Sequence, residues 1–134
     1  LRVVAADLNS PPIGNIETMA EVMTALRNQA EKAAPGEWVS GFGYDDTLLA
    51  EQRHPTRAEL DDVSMEHPVV AMHISGHMLV ANSMALEQVG ISASTPNPEG
   101  GVIGRRPGSH DPNGLFEETP IMTVMSQTPD NILI

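Results

Sequence analysis

His73 and His77 stand four residues apart, the separation at which two imidazoles on one helix face can share a metal ion. Their surroundings oppose that use, because Gly76 and the β-branched Ile74 lie between them and no glutamate is present to act as a base. On a strand the same side chains would sit about 13 Å apart, too far for one ion. The expectation is one packed and one partly exposed histidine. His54 and His67 each precede a proline, and His110 falls in a turn-rich stretch, so all three are expected at the surface.

Carboxylates occur as the neighbours Asp45-Asp46 and Asp61-Asp62. Adjacent side chains point apart, whereas paired acid–base work needs two groups converging on one atom. Asp61-Asp62 reads as a solvated helix face. Asp45 follows a Gly-x-Gly turn at the end of a strand, where loops build sites. It either lines a cavity or caps its own turn. Gly41-Phe42-Gly43 lacks the third glycine of a dinucleotide loop, no Gly-x-Ser-x-Gly occurs, and Ser75-Gly76-His77 offers no nucleophile–base spacing. The methionines at 19, 23, 78 and 84 read as core filler. The residues therefore supply no complete catalytic or metal-ligand set.

The elements that must position these groups alternate between strand and helix. Leu1–Ala5 reads as a buried strand or its tail. Asn15 can cap a helix of about five turns whose apolar stripe runs through Ile16, Met19, Ala20, Met23, Leu26, Ala30 and Ala33, with Pro35-Gly36 as its end. A strand is expected over Glu37–Phe42, with Trp38, Ser40 and Phe42 on one face and Val39 and Gly41 on the other. Thr56 and Glu59 have capping-box spacing and start a second helix that His67-Pro68 must end. Pro68–Ile74 is strand-like, and Met78–Val89 turns helical with Gly90 as its cap. A hairpin follows from Gly101–Arg105 and Gly114–Glu117, while Ile121–Met125 has no assignable type. The class is mixed α+β: residues 1–134 form one compact domain of short strands and two to four helices with a C-terminal hairpin.

Length and charge bound the function. At 134 residues the chain is too short for a complete (β/α)8 barrel, which needs roughly 200–250. Seven basic residues against eighteen acidic ones give a net charge of −11, which repels phosphate backbones and anionic lipid. Neither nucleic acid nor membrane is expected as a partner. The absence of cysteine removes disulfides, thiolate zinc sites and cysteine nucleophiles. The first residue is Leu1, with no secretory leader behind it, as expected of a chain that begins mid-gene or after processing.

One further observation is the order of short motifs: residues 36–45 (GEWVSGFGYD), 55–61 (PTRAELD), Pro68-Val69-Val70, Ser75-Gly76-His77, 82–86 (NSMAL), Gly90-Ile91, 95–103 (TPNPEGGVI) and 113–118 (NGLFEE). Across residues 36–118 this series resembles amidohydrolase family 3, metal-dependent hydrolases that include N-substituted formamide deformylase-like enzymes. The resemblance implies a longer parent with a (β/α)8 barrel, of which this chain is the inserted α/β segment after the first barrel strand. It implies a divalent, zinc-type metal in that parent, held by a His-x-His pair, a lysine, two further histidines and an aspartate. No His-x-His occurs here, and the single lysine, Lys32, lies on a polar helix face, so those ligands are expected outside the chain and none is expected bound by the segment. Tyr44, Asp45, His77 and Asn82 match positions expected to face the substrate cavity, with Asn82 also suited to cap a helix. Asn113 stands where the family usually has threonine, which keeps a tight Asn-Gly turn and removes a hydroxyl.

The leading expectation is thus a segment, inert alone, of a cytoplasmic enzyme that hydrolyses carbon–nitrogen bonds in an amide-type small molecule. Its partner is the rest of its own polypeptide, and apolar surface left uncovered by the barrel can pair two copies. The alternatives are a stand-alone acidic module that binds a ligand or protein without catalysis, and an independent metalloenzyme using His73, His77 and Asp45.

Overall fold

The computed structural model describes residues 6–118 apart from residue 98. The expected elements at Leu1–Ala5 and Ile121–Met125 lie outside the described residues. One six-stranded sheet organises the rest, with strand order β1-β2-β3-β4-β6-β5. The strands are β1 (Ala6–Asp7), β2 (Val39–Tyr44), β3 (Val69–His73), β4 (Met78–Ala81), β5 (Gly101–Arg105) and β6 (Pro112–Glu118). The first three run parallel, and the remaining pairings are antiparallel.

Parallel neighbours need crossover connections, and two helices supply them. Helix α1 (Met19–Lys32) joins β1 to β2, and α2 (Arg57–Val63) joins β2 to β3. Both pack on one face of the sheet. Met19, Val22, Met23 and Leu26 of α1 and Leu60 and Val63 of α2 share a core with Val39, Val69, Ala71 and Val80. The other face carries a second core in which Ala85 and Leu86 of α3 (Ser83–Val89) meet Trp38, Val70, Met72, Leu79, Ile103 and Phe116. Strand alternation therefore fills two layers at once, as parallel strands covered on both faces require.

Several expected boundaries moved for identifiable reasons. Helix α1 is capped by Thr18 and not by Asn15: Thr18 accepts from Glu21 N, and Glu21 returns a bond to the Thr18 amide, a complete capping box. The Thr56–Glu59 box starts α2 as its spacing indicates, but the helix stops at Val63, before His67-Pro68. The expected helix from Met78 begins instead as a strand. Ser75-Gly76 closes a tight hairpin, and Met78–Ala81 then pairs with both β3 and β6, which satisfies its backbone on two sides. The helical pattern starts only at Ser83, and Gly90 ends it in the left-handed conformation.

The C-terminal hairpin forms, with Ile103 opposite Phe116. Its turn is not Asn113-Gly114, which lies within β6. Gly114 has φ +100°, and a Cβ there would sit 2.7 Å from the Ala81 carbonyl oxygen. Close approach to β4 is what this position demands.

Candidate functional site

Gly43 decides where the polar groups at the end of β2 go. It has φ +107°, and a Cβ on it would stand 2.5 Å from the Asn9 side chain. At this residue the β2–β3 register slips: Phe42 opposes Met72, yet Tyr44 opposes His73. A bulge of one residue reverses side-chain parity. Phe42 therefore stays on the Trp38 face and is exposed, whereas Tyr44 turns into the α1–α2 core and is completely buried. His73 already points to that face because Val69 and Ala71 do. The bulge brings the two rings together, edge to face, with centroids 5.1 Å apart.

Two more groups close the cluster. His54 lies against the other side of Tyr44, also edge to face at 5.7 Å, and its Nδ1 is 2.9 Å from the Tyr44 hydroxyl. Asp46 sits between the two histidines. Its Oδ1 is 2.8 Å from His73 Nε2, and its Oδ2 is 3.7 Å from His54 Nε2. His73 Nδ1 accepts from the Ser75 amide at 3.1 Å and lies 2.9 Å from Ser75 Oγ. Because Nδ1 accepts there, Nε2 carries the proton and donates to Asp46. Burial and the Asp46 charge push the Tyr44 phenol well above its ordinary pKa, so it remains protonated.

All of these groups lie at the carboxyl ends of the parallel strands β2 and β3, the edge where open α/β sheets place their sites. Asp45 shares the turn. Its carboxylate accepts from the Thr47 hydroxyl at 2.6 Å and the Thr47 amide at 2.9 Å, and the hydroxyl bond chiefly holds its pKa below the usual carboxylate value. It is thus a turn-capping aspartate. Ligand atoms of Asp45, Asp46 and His73 also come within 4.8 Å of one another. The neighbouring carboxylates converge after all, because the chain turns sharply between Asp45 and Leu49, with both Leu48 and Leu49 amides bonded to the Asp45 carbonyl.

The other expected site residues lie elsewhere. His77 is exposed on the far side of the β3–β4 turn, with Nδ1 3.3 Å from Glu118. Asn82 is fully buried and wholly committed to the backbone. Its Oδ1 accepts from Val69 and Ala85 amides, and its Nδ2 donates to Ser64 and His67 carbonyls. It caps α3 as its residue type suggests.

Three residues expected at the surface have partners in other elements, and one of them is buried. His67 is buried with Nδ1 2.9 Å from the Glu37 carbonyl, and His54 belongs to the cluster. Asp61 accepts from both the amide and hydroxyl of Ser83, tying α2 to α3. His110 is exposed as expected. Asp46 and His54 escaped the sequence reading because their signal is a glycine bulge and a turn, neither of which has a side-chain spacing.

A surface cavity of about 410 Å³ lies away from the cluster, lined by Arg57, Ser83, Leu86, Gly90, Asp111 and Pro112. Its cation, Arg57, already donates to Ser83, Asp111 and the Pro112 carbonyl, and so joins α2, α3 and β6. That cavity is a seam between elements.

A family model described as the amidohydrolase family matches residues 4–132. The chain belongs to the amidohydrolase family. Among curated proteins, it is 40% identical over 101 residues to the N-substituted formamide deformylase of Arthrobacter pascens, covering 75% of this chain and 18% of that protein. It is 27% identical over 108 residues to the putative amidohydrolase YtcJ of Bacillus subtilis, covering 81% of this chain and 20% of the relative. The fold matches that of an uncharacterized metal-dependent hydrolase from Pyrococcus horikoshii, with TM-score 0.61 and 23% identity over 91% of this chain and 20% of the other. This family segment spans about a fifth of the length of these relatives.

The set Asp45, Asp46 and His73, imidazole plus carboxylates, is of the type that zinc-like ions accept. The expected ligand-free segment is corrected to this extent: a group with metal-binding chemistry is present among the described residues, built around Asp46 and not around His73–His77. No described helix is long and apolar enough to cross a membrane.

Proposed function

We propose that this segment is part of a metal-dependent hydrolase acting on carbon–nitrogen bonds other than peptides, and that its β2–β3 edge contributes to the cover and substrate cavity of that enzyme. The observation that carries the reading is the coincidence of family membership with a polar cluster at the carboxyl ends of parallel strands. Asp46 supplies a partly exposed acceptor held in place by His73, able to orient the N–H of an amide.

His73 adds proton transfer. Its Nε2 proton rests on Asp46, so the ring can accept a proton at Nδ1 while the carboxylate stabilises the charge that forms. A divalent ion in such an enzyme lowers the pKa of its bound water toward 7 and polarises the scissile carbonyl.

The segment's partner is the remainder of its own polypeptide, a (β/α)8 barrel into which the segment is inserted. Phe42 and Ile74 are exposed at the same end of the sheet, 37% and 38% accessible, and offer apolar surface for that contact. Taken alone the segment is expected to be inactive. The test is to assay hydrolysis of N-substituted formamides and simple amides by the 134-residue chain and by a longer polypeptide that carries it. Turnover by the longer polypeptide only supports the reading. Equal turnover by the short chain, or none by either against the whole panel, overturns it.

A further inference from the structure

We propose that the chain itself binds one zinc-type divalent ion at Asp45, Asp46 and His73, with His54 as a fourth donor. This goes beyond the hydrolase reading, because it concerns a site built wholly within residues 45–73 and stands or falls without turnover.

The geometry begins with Asp46. Two imidazoles from separate parts of the chain direct the same atom type, Nε2, at its carboxylate, at 2.8 Å from His73 and 3.7 Å from His54. Donors around a tetrahedral ion with bonds of about 2.0–2.2 Å lie roughly 3.4 Å apart, between these two separations. Asp45 adds a third donor within 4.8 Å of Asp46 and His73. Asp45 and Asp46 sit in one turn, so the contraction needed to enclose an ion falls on a loop and leaves the sheet undisturbed.

Each imidazole must also present a lone pair at Nε2, which moves its proton to Nδ1. The partner of Nδ1 decides whether that is feasible. In both rings it is a hydroxyl, Tyr44 for His54 and Ser75 for His73. A hydroxyl can accept as readily as it donates. Ion binding therefore reverses the two hydroxyl hydrogen bonds, replaces the His73–Asp46 hydrogen bond by bonds to the ion, and leaves each ring the outer partner that fixes a metal-bound histidine. The reversal on His73 releases the amide of Ser75, which is exposed and passes to water. One side of the site stays open, since the Asp46 and His54 side chains are 28% and 25% accessible, so water can complete the coordination shell.

The donor set discriminates by chemistry. Two imidazoles favour zinc, cobalt(II) or nickel(II) over magnesium and calcium, which prefer all-oxygen shells. His77 faces Glu118, and His67 is engaged by the Glu37 carbonyl, so neither is part of the set.

The test is a zinc titration of the intact chain followed through long-range ¹H–¹⁵N correlations of its five imidazoles. The Nε2 resonances of His54 and His73 are expected to move together and saturate near one equivalent, with those of His67, His77 and His110 unchanged. In equilibrium dialysis with elemental analysis, Asp46→Asn is expected to lower zinc affinity by at least about tenfold, and His77→Gln to leave it unaltered. Shifts centred on His77 or His110, no saturable shift at all, or equal affinity in Asp46→Asn overturns the proposal. Should Asp46→Asn fail to fold, the spectra of the unmodified chain decide.

Discussion

Two polar networks flank β3, one at each end, and they are built on opposite principles. At the amino end Asn82 makes four hydrogen bonds, every one to backbone, and is fully buried. At the carboxyl end Tyr44, Asp46, His54, His73 and Ser75 bond chiefly to one another's side chains, and the network opens to solvent through Asp46. A side chain committed to four backbone groups can change partners only by breaking the fold. A chain of carboxylate, imidazole and hydroxyl can exchange protons and ligands with its backbone undisturbed. The first network is architecture, and the second is equipped for chemistry.

The sharpest way to break this contrast is Asn82→Ala. It strands two amides and two carbonyls, and a loss on the order of 3 kcal/mol is expected in the unfolding free energy from chemical denaturation. Asn82→Asp sharpens the test, because it keeps the acceptor for Val69 and Ala85 but sets a carboxylate against two carbonyls, and it should fail to restore stability. Next in size is Gly114→Ala in the same closed region. Its positive φ and its contact with the Ala81 carbonyl predict a loss of about 2 kcal/mol, against about 1 kcal/mol for Gly90→Ala, where the φ is also positive but the space is open.

The open network should respond weakly by the same measure. Asp46→Asn removes a charge that is partly exposed and leaves an oxygen to accept from His73, so a stability change of about 1 kcal/mol or less is expected. The smallest effect is spectroscopic. Tyr44 is the single tyrosine, and its absorbance in chelator-treated folded protein should titrate well above the ordinary value of about 10. The sign follows from that elevation. Below the unfolded value the phenol is protonated in both states and its contribution to stability is complete. That contribution is lost as pH rises from there through the folded value. Titration at the ordinary value would place Tyr44 in water and remove it from the cluster.

Local signals carried much of the architecture into the sequence. The Thr56–Glu59 box, the β3 run, Gly90 and Asn82 as helix caps, and the β5–β6 pairing are all decided within a few residues, where capping and turn chemistry act. Met78–Ala81 misled because a four-residue apolar run has no period of its own, and its two strand neighbours lie at 69–73 and 112–118. The candidate site was half legible. Tyr44 and Asp45 follow a Gly-x-Gly at a strand end, which marks them without placing them. Asp46 and His54 could not be picked out, because the parity reversal at Gly43 turns Tyr44 inward and draws them around it. A bulge is a property of two strands in register, and one strand's sequence does not display it.

The claim that the open network is the working part of this amidohydrolase segment is tested most directly by Asp46→Asn in a longer polypeptide that carries it, with the hydrolysis rate and the denaturation midpoint measured on the same preparation. The account predicts a fall in kcat of about a hundredfold or more with the midpoint nearly unchanged. An undiminished rate, or a loss of rate that merely follows a loss of fold, would contradict it.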